Sequence, residues 1–199
     1  GSVMIFFGAY LVEKGRGFKF GRNTFHGVAM TPLAIPGMAL GLAYIFFFNH
    51  PNNPLNFLYG TMGILVISTI THFYTVSHLT ATTALKQMDA EFESVSASLK
   101  TPFFRTFQKI TIPICLPAIF DISIYLFLNA MTTVSAVIFL YSANTRLASI
   151  AVLNMDDQGE LAMAAAMAMM IAYTCGAVRL LYAIGSKSLI IRTQKWRDK

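Results

Sequence analysis

The sequence predicts an all-α membrane protein, a bundle of about five membrane-crossing helices with a charged helical hairpin on one side. Three observations predict it. The 199 residues are 55% hydrophobic and only 12% charged, where a soluble domain carries about 25% charged residues. The charges are segregated: no Asp, Glu, Lys or Arg occurs from Thr24 to Leu85 or from Leu161 to Val178. The basic residues cluster between apolar runs. Of the 15 Lys and Arg residues, 13 lie in three places: Lys14 to Arg22, Lys86 to Lys109, and Lys187 to Lys199. The positive-inside rule reads those three places as cytoplasmic. The net charge of +6 therefore marks membrane orientation and does not indicate a nucleic-acid partner.

Five apolar segments follow in order, at about residues 3–12, 24–49, 55–79, 112–141 and 161–184. The first is too short to span, and its charges (Glu13, Lys14, Arg16) come after it, the reverse of a signal peptide. The chain is expected to begin inside a transmembrane helix of a longer protein. The second segment crosses outward to NHPNNP, a turn-rich loop without Lys or Arg. The third returns to the cytoplasm, the fourth goes out to YSANTRLASIAVLNMDDQGE, and the fifth comes back to the basic tail.

Within the second segment, Pro32 and Pro36 each remove a backbone donor and can kink a helix. Gly37 and Gly41 form a G-x-x-x-G pair that permits close helix approach. Ordinary packing and a bend beside a transport path both fit. The fifth segment, LAMAAAMAMMIAYTCGAV, combines small side chains with adaptable Met and fits a helix buried in a bundle. Cys115 and Cys175 sit in apolar surroundings and read as free thiols.

Between the third and fourth segments lies LKQMDAEFESVSASLKTPFFRTFQKITIPICLP. Leu85, Met88, Phe92, Val95 and Leu99 recur in steps of 3 and 4, one stripe of an amphipathic helix. Thr101-Pro102 then predicts a second helix start, with Thr101 as N-cap and Pro102 at the first helical position. Phe103, Phe104 and Phe107 follow, interleaved with Arg105 and Lys109. A helix lying on the lipid surface and a hairpin docked in a cytoplasmic partner are both open on periodicity alone.

This stretch resembles the EAA loop of binding-protein-dependent ABC importer permeases of the type I class. Asp89, Glu91, Glu93, Ser98, Leu99, Arg105, Thr106, Phe107, Thr111 and Pro113 match a common form of it without gaps. Two features depart from it. The Glu-Ala-Ala triplet is replaced by Ser94-Val95-Ser96 or Glu93-Ser94-Val95, and the usual turn glycine is Lys100. AYLVEKGRG, TPLAIPGMALGLAYIFFF, NAMTTVSAVIFLYSANT and AVLNMDDQGELAMAAAMAM are most similar to the ferric-iron and phosphonate branch, 2-aminoethylphosphonate permeases above all.

The resemblance implies a single permease transmembrane domain over residues 1–199, truncated at its amino terminus and equivalent to a carboxy-terminal half, with a coupling hairpin over about 85–112. It implies a bacterial inner-membrane importer for a small solute, with 2-aminoethylphosphonate expected and ferric iron or another small anion as the alternative. The implied partners are a cytoplasmic ABC ATPase dimer, a periplasmic solute-binding protein, a second permease half or subunit, and the bilayer. The expected ATPase-coupling residues are Asp89, Glu91, Glu93, Ser98, Leu99, Lys100, Phe103, Phe104, Arg105 and Phe107.

The chain carries no Walker A motif, so ATP hydrolysis is expected in a separate subunit; no cofactor or enzyme activity is expected here. Asp121 is the only acid in the fourth segment, and an intramembrane charge is usually paired or functional. Arg179, near the cytoplasmic end of the fifth segment, is a candidate partner, and a direct role in the pathway is the alternative. Asp121, Asn129, Thr132 and Thr133 are the candidates for a translocation path. Asp156, Asp157 and Glu160 form an acidic outer loop without calcium-site spacing. His26, His50, His72 and His78 are dispersed and form no metal motif. The competing reading is a membrane scaffold whose hairpin only binds lipid.

Overall fold

A computed structural model describes residues 1–15, 19–89 and 91–193, without the side chains of Lys19, Glu93 and residues 187–193. The basic residues Arg16, Lys195, Arg197 and Lys199 lie outside the described residues. Every regular element among those described is helical: α1 (Ser2–Lys14), α2 (Lys19–Ala34), α3 (Gly37–Phe48), α4 (Met62–His72), α5 (Tyr74–Lys86), α6 (Glu91–Ser98), α7 (Phe103–Thr106), α8 (Ile112–Thr132), α9 (Ala148–Asp157) and α10 (Leu161–Thr193). In lipid no water is at hand for backbone amides, and a helix satisfies them within one segment.

Two helices are long and apolar enough to cross a membrane unaided: residues 103–132, where α7, a π-type turn (Phe107–Thr111) and α8 run on without a break, and residues 161–186 of α10. The other two spans are bent. α2 and α3 meet at 110° and α4 and α5 at 56°. The second segment, expected as one crossing, is therefore two half-helices. The cause is local: Pro36 has no N–H to continue α2, and it sits in extended backbone at the entrance of α3.

α1 packs against α5, α8 and α2. Its Ile5, Phe6, Ala9 and Tyr10 form one core with Ala81 and Leu85 of α5, Phe107, and Cys115, Ile122 and Leu126 of α8. A second core gathers Phe48, Ile64, Leu65, Ala136, Val137, Leu140 and Ile150.

The fourth segment ends sooner than the apolar run suggests. α8 stops at Thr132, and residues 134–141 form a chain of turns folded into the second core. Non-helical backbone at membrane depth must be buried in protein and hydrogen-bonded. Ser68 donates to the carbonyl of Ala136 at 2.7 Å, and Ser149 donates to the carbonyl of Thr133 at 2.8 Å. The G-x-x-x-G pair serves this same segment. A Cβ on Gly37 would lie 2.5 Å from Ser135 Oγ, and one on Gly41 would lie 3.3 Å from the Ala136 carbonyl oxygen. The glycines thus admit this turn, and Gly37 also admits the end of α4, where a Cβ would lie 3.1 Å from His72 Cε1.

α10 also departs from expectation. It packs chiefly along α9 and α8, and Ala164 is its one buried residue among those described. The helix lies at the edge of the bundle, its small and Met side chains facing outward.

Candidate functional site

The hairpin is built from α6, a tight turn, and α7. Its turn is a Schellman motif: Thr101 N–H donates to the Ser96 carbonyl and Lys100 N–H to the Ala97 carbonyl, both at 3.0 Å. Such a motif needs a left-handed residue at Lys100, and Lys100 has φ +51°, the only positive φ outside glycine among the described residues. Lysine thus takes the backbone conformation that the family glycine would take. Pro102 stands two residues beyond Lys100, past the end of α6, which a proline cannot continue. It is itself the cap of α7, with ψ 140° and its carbonyl accepting from Arg105 and Thr106. The expected start, with Thr101 as cap, shifts by one residue.

The Ser96 and Thr106 hydroxyls, both buried, share a short hydrogen bond that ties the two arms together. Below them, Ser96, Ala97, Thr101, Phe103 and Thr106 line a cavity of about 170 Å³ with Tyr10 and Lys14 of α1. The hairpin is therefore seated on the end of α1. The predicted single stripe divides at a turn over residues 87–89. Leu85 is fully buried and Met88 packs on the same core, whereas Val95 and Leu99 are exposed. Ser96 faces inward in their place, because α6 starts a new helical phase.

Of the ten expected coupling residues, Asp89, Glu91, Ser98, Leu99, Lys100, Phe103, Phe104 and Arg105 are exposed. The side chain of Glu93 lies outside the described residues. Phe107 is the exception. It is 5% exposed, with its ring centroid 4.5 Å from that of Tyr10, 5.3 Å from Phe7 and 6.2 Å from Phe6. It anchors the hairpin and is not offered to a partner. The π-type turn that contains it precedes Pro113, which cannot donate to the preceding turn; a wider turn accommodates the missing bond.

Three of the four path candidates meet at the end of α8, where the Asn129 carbonyl accepts from the Thr133 N–H at 2.8 Å and lies 3.5 Å from the Thr132 hydroxyl. Asn129 donates to the carbonyl of Tyr125 at 2.8 Å and Thr132 to that of Leu128 at 3.0 Å, each along its own helix. Thr133 is buried, and its carbonyl holds Ser149. Thr132 also lines an apolar cavity of about 370 Å³ between α8, α9 and α10. Asp121 stands apart, exposed on α8. Its partner is not Arg179. Tyr182 donates its hydroxyl to Asp121 Oδ1 at 2.5 Å, and Arg179 lies over the Tyr182 ring, 5.7 Å from its centroid. Tyr182 went unpredicted: one tyrosine, 61 positions from Asp121, gives no spacing signal.

The histidines are less dispersed than the sequence suggests. His26 Nδ1 and His78 Nε2 are 3.4 Å apart. Among the described residues no group of three or more His, Cys, Asp or Glu is placed to hold a metal.

Residues 4–190 match the family described as binding-protein-dependent transport system inner membrane component. The chain is 34% identical over 158 residues to the ferric transport system permease protein FbpB of Actinobacillus pleuropneumoniae, covering 79% of this chain and 22% of that protein. It is 36% identical over 144 residues to the putative ferric transport system permease protein FbpB 1 of Haemophilus influenzae, covering 71% and 22%. It is 40% identical over 80 residues to the putative ferric transport system permease-like protein AfuB of Escherichia coli, covering 40% and 67%. The chain thus spans about a fifth of the length of the two FbpB proteins. With nearly all of its helical bundle inside the family match, the chain belongs to the binding-protein-dependent transport system inner membrane components, the permeases of ABC importers.

Proposed function

We propose that this chain forms the membrane pathway of a ferric-iron importer, driven through its hairpin by a separate cytoplasmic ATPase and supplied by a periplasmic binding protein. The observation that carries the substrate is the naming of the FbpB relatives, at 34% and 36% identity, for ferric transport. The resemblance alone expects a phosphonate; the names of the FbpB relatives favour iron over it.

Coupling follows from the continuity of the hairpin with α8. ATPase closure pushes on the exposed Phe103 and Phe104. Residues 103–132 form one helical rod, so the push is carried along it. Asp121 lies 18 residues beyond Phe103, about 27 Å along such a rod. Phe107 and Leu85 pass the same displacement into α1 and α5.

The test is ATP-dependent uptake in proteoliposomes holding the complete permease, its ATPase and its binding protein. Radiolabelled ferric iron should accumulate, and 2-aminoethylphosphonate should neither accumulate nor compete. Phosphonate uptake without iron uptake would replace this reading.

A further inference from the structure

We propose that the bundle is two bodies joined at a hinge, where the break at Pro36, the break at Phe73 and the end of α8 come together, and that the two bodies turn on each other as the transporter cycles. The inference rests on the importer reading above and adds where within the chain the motion occurs.

The two hydrophobic cores share no residue. The first joins α1, α5, Phe107 and α8, and α2 packs on α1 and α5. This body carries the hairpin. The second joins α3, α4, the turns over residues 134–141 and α9, and forms the far body. Close-packed side chains interlock, so each core moves as a unit.

The chain passes between the bodies from α2 to α3, between α4 and α5, and from α8 into the turns. Each of these passages is broken. α2 and α3 meet at 110° next to Pro36, and α4 and α5 meet at 56° around Phe73. α8 stops at Thr132, with Thr133 in extended backbone. The three breaks also lie together. A Cβ on Gly37, next to Pro36, would be 2.5 Å from Ser135 Oγ and 3.1 Å from Cε1 of His72, the residue before Phe73. Hinges are made of such element-terminal residues, which absorb the backbone rotation. Ile70 packs back on the first core, which puts the boundary inside the last turn of α4. α10 runs unbroken beside both bodies, along α9 and α8, but with one buried residue among those described it ties them loosely.

The hydrogen bonds follow the same division. Within the body that carries the hairpin, Thr75 donates to the Ala29 carbonyl at 2.7 Å and Ser123 to the Ser2 hydroxyl at 2.8 Å. Within the far body, Ser68 donates to the Ala136 carbonyl at 2.7 Å and Tyr44 to the Thr71 hydroxyl at 2.9 Å. The bond from Ser149 to the Thr133 carbonyl crosses the boundary, at the joint itself. His72 Nδ1, also at the joint, is buried and has no hydrogen-bond partner among the described residues. A buried nitrogen left unbonded raises the energy of this arrangement, and a rotation that brings it a partner relieves that cost.

Spin-label distances in the complete permease, bound to its ATPase in lipid nanodiscs, test the hinge. Cys115 and Cys175 are first replaced by alanine. Val28→Cys on α2 and Phe127→Cys on α8 label one body, and Phe46→Cys on α3 and Asn154→Cys on α9 label the other, all at exposed positions. Only labelled proteins that keep ATPase activity are compared, nucleotide-free against trapped with ATP and vanadate. At least one of the cross distances, Val28 to Phe46 or Phe127 to Asn154, should change by more than about 2 Å, the scale of a domain rearrangement. The distances within each body, Val28 to Phe127 and Phe46 to Asn154, should stay fixed. Four fixed distances in a sample that has trapped nucleotide overturn the hinge, and so does a change within either body. Uptake by the same proteins separates the two levels. Iron uptake with four fixed distances removes the hinge and leaves the importer. A change confined to the cross distances, without iron uptake, removes the substrate reading and leaves the hinge.

Discussion

The ring of Phe107 lies 4.5 Å from the ring of Tyr10, centroid to centroid, inside the core that joins the hairpin to α1. Phe103 and Phe104, four and three residues earlier, are 43% and 57% exposed. The three phenylalanines of one short stretch therefore divide into a buried anchor, Phe107, a half-exposed Phe103 whose ring lies 4.7 Å from that of Tyr10, and the more open Phe104. Phe107→Ala should lower stability by about 3 kcal/mol, the usual scale for emptying a buried aromatic site. Phe104→Ala should stay within about 0.5 kcal/mol, as surface changes do, and Phe103→Ala should fall between, at about 1 kcal/mol for the loss of its ring contact with Tyr10. Thermal unfolding of the purified permease in detergent measures both; equal losses at all three positions would contradict the division.

Lys100 holds a left-handed conformation inside the Schellman turn. A side chain there costs about 1–2 kcal/mol that glycine avoids. Lys100→Gly should therefore stabilise the hairpin by about 1 kcal/mol, and Lys100→Val should destabilise it by more. Hydrogen exchange at the Lys100 and Thr101 amides reports the change, slower in the first variant and faster in the second.

Gly37 touches the turn at Ser135 so closely that an added methyl would meet its hydroxyl at 2.5 Å. Gly37→Ala should cost about 1–3 kcal/mol through overpacking. Ser135→Gly in the same chain should recover most of that loss. A double-mutant cycle on the melting temperature shows whether the two positions couple; strict additivity would mean that the turn does not press on α3.

Ser68 satisfies the Ala136 carbonyl within that same turn. Ser68→Ala leaves a buried acceptor without its partner and should cost about 1–3 kcal/mol. Ser68→Cys, a weaker donor of similar size, should fall between. The readout is again the melting temperature, and no change in the alanine variant would mean that another donor reaches Ala136.

The membrane class and the apolar segments could be read from composition and charge placement, because a bilayer demands long uncharged runs. The hairpin could be read as well: Thr101-Pro102 and the glycine-like position of Lys100 are local signals, and local geometry followed them. Long-range consequences could not be read. Residues 134–141 are as apolar as a helix, and what makes them a turn is Ser68 and Gly37, far away in sequence. The stripe from Leu85 to Leu99 looked continuous because its spacing happens to survive the turn at residues 87–89. The bend at Pro36 was signalled, but its angle of 110° is set by where α3 packs. Asp121 was conspicuous as a lone acid, while Tyr182 was one aromatic among many.

The central claim is that the hairpin is the handle by which an ATPase moves this bundle. The most direct measurement is co-purification of the complete permease with its candidate ATPase, parent against Phe103→Ala/Phe104→Ala, both inserted in the membrane. The account predicts that the ATPase stays with the parent and is lost from the double variant, which is still folded and inserted. A properly inserted parent that retains no ATPase under conditions that preserve such complexes, or a double variant that retains it fully, would contradict the account. The hairpin would then be a lipid-surface element, and the scaffold alternative would take its place.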